Sequence, residues 1–337
     1  MSLVTEADEI SDIAFAFMGS KALFTALELN LFSLMADGPQ TAAALGAATG
    51  LHEDRVETLL TALAGMGLVS VRDGRYANSP GAESFLVKGA KYDFGDYLKL
   101  QVGQQMYPLM DQIGGALADT LDEDATDSYA KWFSDAEQAR LYSQSQHAGS
   151  LGPARQLARA LDLSGARHML DVGGGTGAFA ITLCKANPDL HATIVEFPNV
   201  AALGREYVEK AGLTDRITYL EGDGRDTAWP EDQDVVLMSY LFSGVPGEAH
   251  EGLIAGAFRH LRPGGRFLLH DFVVDADRSG PKLAALWQLQ HTAFTPEARS
   301  LDTGWLTGAL TGAGFENVTI RTMIPEMTML AEGTKPA

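Results

Sequence analysis

The stretch HMLDVGGGTG at 168–177 constrains this chain more than any other. A short apolar run passes directly into a turn rich in glycine, where the backbone can take positive φ and come close to a ligand. After it, strand-like and helix-like patterns alternate: AFAITLCKANP, HATIVEFP, VAALGREYVEKAG, ITYLEGD, DVVLMSYLF, HEGLIAGAFRHL and RFLLHDFVV. Alternation of this kind predicts an α/β fold with a Rossmann-like, doubly wound parallel sheet, whose ligands bind beyond the carboxyl ends of the strands. At 337 residues the chain is too long for one ordinary core. The expected segments are a helical and winged-helix domain over 1–100, a helical connector over 101–160 and the Rossmann-like domain over 161–337.

Upstream, 10–34 reads as two amphipathic helices parted at Gly19-Ser20, with Ile13, Phe17, Leu23, Leu27 and Leu31 at helical spacing. So apolar a pair needs a partner surface, and a dimer interface is the simplest one. From Thr41 the pattern becomes a capped helix ended by Gly50, a second helix from His52, and a hairpin turning at Asp73-Gly74. This outlines a winged helix-turn-helix. Its second helix opens with His-Glu-Asp and offers Arg55 as its cation, which disfavours a phosphate backbone. Residues 92–161 read as mostly helical, interrupted by the charged stretch LDEDATDS and broken or kinked near Gly152-Pro153. Polar residues on the later helix, among them Tyr142, Gln146 and His147, face either a pocket or solvent, and the pattern alone does not choose.

Charge narrows the partners. Lys plus Arg total 25 against 44 Asp plus Glu, a net −19 that opposes nucleic acid and anionic membrane surfaces. Cys184 is the single cysteine, which excludes an intrachain disulfide and a thiolate zinc site. The acidic start MSLVTEADEISD does not read as a signal peptide, and no uninterrupted apolar run approaches the roughly 18 residues of a membrane span. A cytoplasmic protein acting on a small molecule is expected.

A glycine turn after a strand serves several cofactors, so its acidic neighbours matter. Asp171 precedes Gly173, Gly174, Gly175 and Gly177. Glu196 closes the second strand, where a carboxylate can accept from both ribose hydroxyls, and Asp223 closes the third, where it can accept from an adenine amino group. The additional acid favours an adenosine without a pyrophosphate. The sulfonium of S-adenosylmethionine also suits an acidic protein.

These residues, with Glu196-Phe197-Pro198, the Gly-Asp pair at 222–223 and His260-Leu261-Arg262-Pro263-Gly264-Gly265-Arg266 before a strand, resemble the plant-type (class I) O-methyltransferase family. The likeness covers nearly the whole chain. It implies a class I methyltransferase sheet, an N-terminal all-α/winged-helix dimerisation domain and a homodimer. It also implies that Gly173, Glu196, Asp223 and Gly224 hold the cofactor, bordered by Ser239 where the family usually has tryptophan.

The family's His-Asp-Trp after the fourth strand is replaced here by Ser239-Tyr240-Leu241-Phe242-Ser243-Gly244-Val245. Phe242 stands where the deprotonating histidine is expected, and a phenyl ring accepts no proton. Aligning Glu248-Ala249-His250 with the start of the next helix makes His250 a surface residue rather than a displaced base. Other polar groups remain. Asp271 falls where the family often keeps a catalytic glutamate, His270 precedes it, and His291 lies on the helix that lines the family's acceptor pocket beside Trp287. Two histidines and a carboxylate can hold a divalent ion (zinc, iron or nickel), although strand neighbours point to opposite faces. Such an ion would acidify the carbon beside the ketone of a 2-oxo acid. The segments HDF, LQHTAF and SYLFSGVP resemble 2-oxo acid C-methyltransferases of antibiotic biosynthesis acting on substrates such as 4-methyl-2-oxovalerate. That chemistry is the leading expectation. An O-methyltransferase of a small phenolic natural product is the alternative, and a non-methylating cofactor-binding relative, regulator or hydroxylase-like, the third.

Overall fold

The computed structural model describes residues 3–120, 135–295 and 297–337; the LDEDATDS stretch, expected to be a loop, lies outside them. The chain forms two compact units, Met1–Tyr107 and Pro108–Ala337, in place of the three segments read from the sequence.

In the first unit, helix α1 (Ala7–Glu28) runs unbroken through Gly19-Ser20, against the expected two helices. The hydroxyl of Ser20 bonds back to the Ala16 carbonyl at 3.3 Å, and Gly19 lies so close to Met66 that a Cβ would come within 2.7 Å of its sulfur. The glycine serves close packing, and the chain turns instead at Asn30, at φ 57°, before the single turn α2 (Leu31–Leu34). Phe24, Ala26 and Leu27 at the end of α1 are buried, while Ile10, Ile13, Phe15, Phe17 and Met18 are exposed. Among the described residues α1 is the one helix with the length and hydropathy of a membrane span, although Asp8, Glu9, Asp12, Lys21 and Glu28 lie along it.

The winged helix follows the sequence closely. Strand β1 (Gln40–Thr41) leads into α3 (Ala42–Thr49), capped by Thr41 accepting from the Ala44 N–H at 3.2 Å, and α4 (Glu53–Gly65) follows. β2 (Val69–Arg72) and β3 (Arg75–Asn78) are joined by Asp73 and Gly74, both at positive φ as a tight hairpin turn requires. Phe32, Leu45, Val56, Leu60 and Leu63 form the core, and after α5 (Pro80–Phe85) the unit ends in a helical stretch, Tyr97–Met106.

The second unit opens with α6 (Ile113–Leu117) and the long helix α7 (Ala136–Ala160). Of the break or kink expected at Gly152-Pro153, the break is absent. Pro153 removes one backbone donor, but Ala154 and Leu157 on the same turns are fully buried in the core with Phe179 and Leu183, and this packing carries the helix through. Then come β4 (His168–Val172), α8 (Ala178–Ala186), β5 (His191–Glu196), α9 (Pro198–Lys210), β6 (Ile217–Glu221), β7 (Gln233–Ser239), α10 (Ala249–His260), β8 (Leu261–Asp271), α11 (Lys282–Phe294), α12 (Thr303–Gly312), β9 (Glu316–Ile324) and β10 (Thr328–Thr334).

The seven-stranded sheet has the order β6-β5-β4-β7-β8-β10-β9, parallel from β6 to β8, with β10 antiparallel to both its neighbours. Side chains alternate between two cores: Met169, Leu237 and Leu268 on one face, Leu170, Val236 and Leu269 on the other. The strand order reverses at β4, with β5 on one side and β7 on the other. The crevice beyond their carboxyl ends is where a ligand fits.

Candidate active site

The glycine turn at the end of β4 is shaped by contacts that a side chain would destroy. A Cβ on Gly174 would lie 2.6 Å from the carboxyl carbon of Asp171 and 2.8 Å from Ile194. Gly175 and Gly177 stand at φ 58° and 80°, and around Gly175 the Cβ position opens onto free space. A ligand can therefore reach the backbone there. Tyr219 on β6 donates to the Gly175 carbonyl at 3.1 Å, and the missing side chain of Gly204 makes room for its ring.

Glu196 reaches across from β5. One carboxylate oxygen accepts from the Gly175 N–H at 2.8 Å, the other from the Phe197 N–H at 2.7 Å, and each keeps a second lone pair. Burial pushes its pKa up to about 7 despite those two bonds, with the charge of Asp223 adding to the rise. Asp171 is wholly buried, and neither of its oxygens has a hydrogen-bond partner. Burial and then the nearby Glu196 raise its pKa to about 7. A buried carboxylate without a donor is costly to keep charged, so this end of the site suits a cationic ligand. Asp223 is gripped by Arg225, whose guanidinium places nitrogens at 2.6–3.1 Å and holds the carboxyl below its usual range. The Arg225 backbone N–H also donates to Oδ1 at 2.9 Å, so each oxygen already takes two donors and Arg225 must yield one before an amino group can bind there. Gly224 packs against Val172 and accepts from the Trp229 indole N–H at 3.0 Å. The carboxylates that end β5 and follow β6, beside the open glycine turn, together fit S-adenosylmethionine.

On the far side of β4, the Ser239 hydroxyl meets His270 Nδ1 at 2.9 Å, and His270 Nε2 meets the Thr328 hydroxyl at 2.8 Å. Burial drives the His270 pKa down to about 3, so the ring is neutral and both nitrogens are engaged. Its neighbour Asp271 points to the opposite sheet face, where it accepts from the N–H of Ser243 at 3.1 Å and of Phe272 at 2.8 Å. Burial lifts its pKa to about 6 against the pull of those bonds. It braces the short turn Phe242–Gly244.

The proposed metal set is corrected by this arrangement. His270 and Asp271 leave the sheet on opposite faces, and no group of three or more His, Cys, Asp or Glu among the described residues is placed to hold an ion. His270 serves as a link between two hydroxyls. His250 is corrected as well: it is fully buried, donates from Nε2 to the Phe242 carbonyl at 2.8 Å, and stacks on the Phe242 ring with centroids 4.6 Å apart. The apolar company of Phe242, Leu253 and Trp305 draws it inward. Phe242, expected in the substrate pocket, has no exposed surface and packs in that core.

The other acceptor-side residues form an aromatic layer. Trp287 stacks on Phe272 at 4.2 Å with planes 13° apart, Tyr240 sits 5.2 Å from Phe272, and His291 meets the Trp287 ring edge-to-face at 6.2 Å. His291 is buried and its pKa is lowered to about 3, leaving a neutral imidazole. On α7, Gln146 donates to the Tyr142 hydroxyl at 2.5 Å, so those two expected pocket residues bond each other. Sequence reading passed over Tyr240, held at φ 59°, and Thr176, Tyr219 and Arg225. Neither tyrosine leaves a trace in the sequence, since Tyr219 braces the turn from 44 residues away on β6 and a left-handed tyrosine follows no local pattern.

A seven-stranded sheet with its reversed final strand, a glycine turn at the switch point and acids after the next two strands define a class I methyltransferase. Residues 124–316 match the O-methyltransferase domain and residues 11–88 the O-methyltransferase dimerisation domain. The chain is similar to 3-hydroxy-5-methyl-1-naphthoate 3-O-methyltransferase of Streptomyces sahachiroi, 31% identical over 97% of this chain and 94% of that one. It is also 30% identical to the tetracenomycin polyketide synthesis 8-O-methyl transferase TcmO of Streptomyces glaucescens, over 97% of this chain and 96% of the other. Among solved structures, human N-acetylserotonin methyltransferase in complex with S-adenosylmethionine superposes with a TM-score of 0.86 at 22% identity, covering all of both chains. The protein belongs to the O-methyltransferase family and is an S-adenosylmethionine-dependent methyltransferase.

Proposed function

We propose that this enzyme transfers the methyl group to a hydroxyl oxygen of a small aromatic natural product. The observation that carries this reading is the aromatic cluster in which Trp287 stacks on buried Phe272, Tyr240 tilts against the same ring and His291 meets the Trp287 edge, ring chemistry suited to an aromatic acceptor. The full-length likeness to a naphthoate and a polyketide O-methyltransferase supports it. A 2-oxo acid, the leading expectation from sequence, needs His270, Asp271 and His291 around one ion, and the sheet keeps the first two apart.

S-adenosylmethionine supplies an electrophilic methyl on a sulfonium, and the chain positions the partners for an in-line displacement. Glu196 would take the ribose hydroxyls on its remaining lone pairs, Asp223 the adenine amino group, and Asp171 the positive end, with Gly173, Gly174, Gly175 and Gly224 letting the backbone close in and Ser239 at the border. With Phe242 in place of the usual imidazole, and burial holding His291 neutral with a pKa of about 3, His291 acts as an uncharged hydrogen-bond partner for the acceptor, whose proton passes to water. The enzyme works as a homodimer through the exposed apolar face of α1, within the matched dimerisation domain.

The test is a panel of hydroxynaphthoates, other phenols and 2-oxo acids, incubated with S-adenosylmethionine with and without a chelator. Methyl ethers of the phenols, formed at the same rate in both conditions, are expected. Methylated 2-oxo acid that disappears on chelation overturns the proposal.

A further inference from the structure

The long helix α7 reaches the cofactor turn through one side chain that the reaction itself does not use. His147 Nδ1 lies 2.7 Å from the hydroxyl of Thr176, the residue between the two left-handed glycines of the turn. Its ring stacks on Tyr207 of α9 with centroids 3.8 Å apart and planes 16° apart. Tyr207 is itself covered by the ammonium of Lys210, 5.4 Å from its ring. Two turns back on α7, Arg140 pairs with Glu206, the residue before Tyr207 on α9, at 2.9 and 3.0 Å through both terminal guanidinium nitrogens. The imidazole is thus fixed in plane by α9 and aimed at the turn. Burial, and then Lys210, lower its pKa to about 4, so it is an uncharged hydrogen-bonding partner at neutral pH.

Thr176 is buried, and its two neighbours have no side chains to hold them. Glycine costs the most conformational entropy to order, so a turn of this kind stays in one shape only when something outside it grips it. The Gly175 carbonyl is gripped by Tyr219, and the Gly175 N–H binds Glu196. Those contacts come from strands β6 and β5. His147 supplies a further grip, from α7, at the next residue.

We propose that His147 is a positioning residue for the cofactor: clamped on Tyr207, it holds Thr176 and so fixes the Gly175–Gly177 turn in the shape that presents its backbone to S-adenosylmethionine. The His147–Thr176 bond makes α7 part of the cofactor site although α7 lies outside the sheet. It does so whichever acceptor is methylated.

The test is a double-mutant cycle on binding of S-adenosylhomocysteine, measured by calorimetry, with amide exchange at 175–177 alongside. His147→Phe keeps a flat ring on Tyr207 and removes the hydrogen bond, and Thr176→Val keeps the shape and removes the hydroxyl. Each raises Kd by about three- to tenfold, the worth of one such bond. The double variant is no weaker than either single one, because both delete the same contact. Thr176→Ser restores the hydroxyl and brings Kd back to within about twofold of the parent. In the ligand-free protein, both valine and phenylalanine variants exchange the 175–177 amides faster while the amides of β5 keep their protection. Unchanged affinity in either single variant, multiplied losses in the double variant, or faster exchange across β5 as well as the turn would each overturn the proposal.

Discussion

Replacing Asp171 by Asn tests whether the site stores an uncompensated charge. The carboxyl is wholly buried without a donor, and its pKa stands at about 7 against an ordinary 3.8. The folded protein therefore binds this proton more tightly than the unfolded chain does. Stability falls as pH rises from about 4 towards 7 and levels off above it. At 1.36 kcal/mol per pK unit, the charge costs roughly 2 kcal/mol at pH 5 and roughly 4 kcal/mol at pH 8. Asparagine has its own cost as an unpaired buried amide, about 1–3 kcal/mol, but that cost is the same at both pH values and cancels. Urea unfolding of the ligand-free protein, followed by circular dichroism at about pH 5 and pH 8, should show the parent losing roughly 2 kcal/mol more than Asp171→Asn between the two conditions. Glu196 titrates over the same range and its charge also raises Asp171, so the difference between the two proteins reports Asp171 together with its coupling to Glu196. Parallel pH profiles for parent and variant would refute the reasoning, because the carboxyl would then be paired or hydrated.

Three further variants probe other parts of the account. Gly174→Ala forces a methyl against Asp171 and Ile194 and should cost about 1–3 kcal/mol in thermal unfolding, with a loss of S-adenosylhomocysteine affinity in calorimetry. Ile13→Glu combined with Phe17→Glu places charges on the exposed face of α1 and should convert dimer to monomer in light scattering; an unchanged mass would move the interface elsewhere. His291→Ala should raise the acceptor's KM by about three- to tenfold, the worth of one hydrogen bond, while binding of S-adenosylhomocysteine stays intact, and a variant with unchanged KM would remove His291 from the acceptor site.

Much of the fold was legible because it rests on local patterns. Thr41, Gly50 and the Asp73-Gly74 turn each act within a few residues, and the winged helix formed where they placed it. The alternating strands and helices after His168 likewise produced the sheet, because buried parallel strands leave apolar runs. The misses share a cause in tertiary packing. Gly19 and Pro153 look like breaks until Met66 sits against one and the Leu157 turn is buried beside the other. His250 looks like a surface residue because nothing near it in sequence announces the Phe242 ring on which it stacks.

The site was legible in its acids and glycines, which carry a motif, and misread where function depended on direction. Two histidines and a carboxylate suggested a shared ion, whereas the strand alternation that already spoke against it sends His270 to Ser239 and Asp271 to Ser243. The partners of Asp171 posed a different problem. Composition shows an acid at that position, but that it is buried without a donor emerges only once the chain folds.

The most direct measurement is the fate of a labelled methyl group. S-adenosylmethionine carrying a carbon-13 methyl is incubated with the enzyme and the hydroxynaphthoate that turns over fastest, and the product is read by heteronuclear NMR. The account predicts a labelled methyl bonded to oxygen, with coupling across the ether to one ring carbon. A labelled methyl bonded to carbon or nitrogen would contradict it.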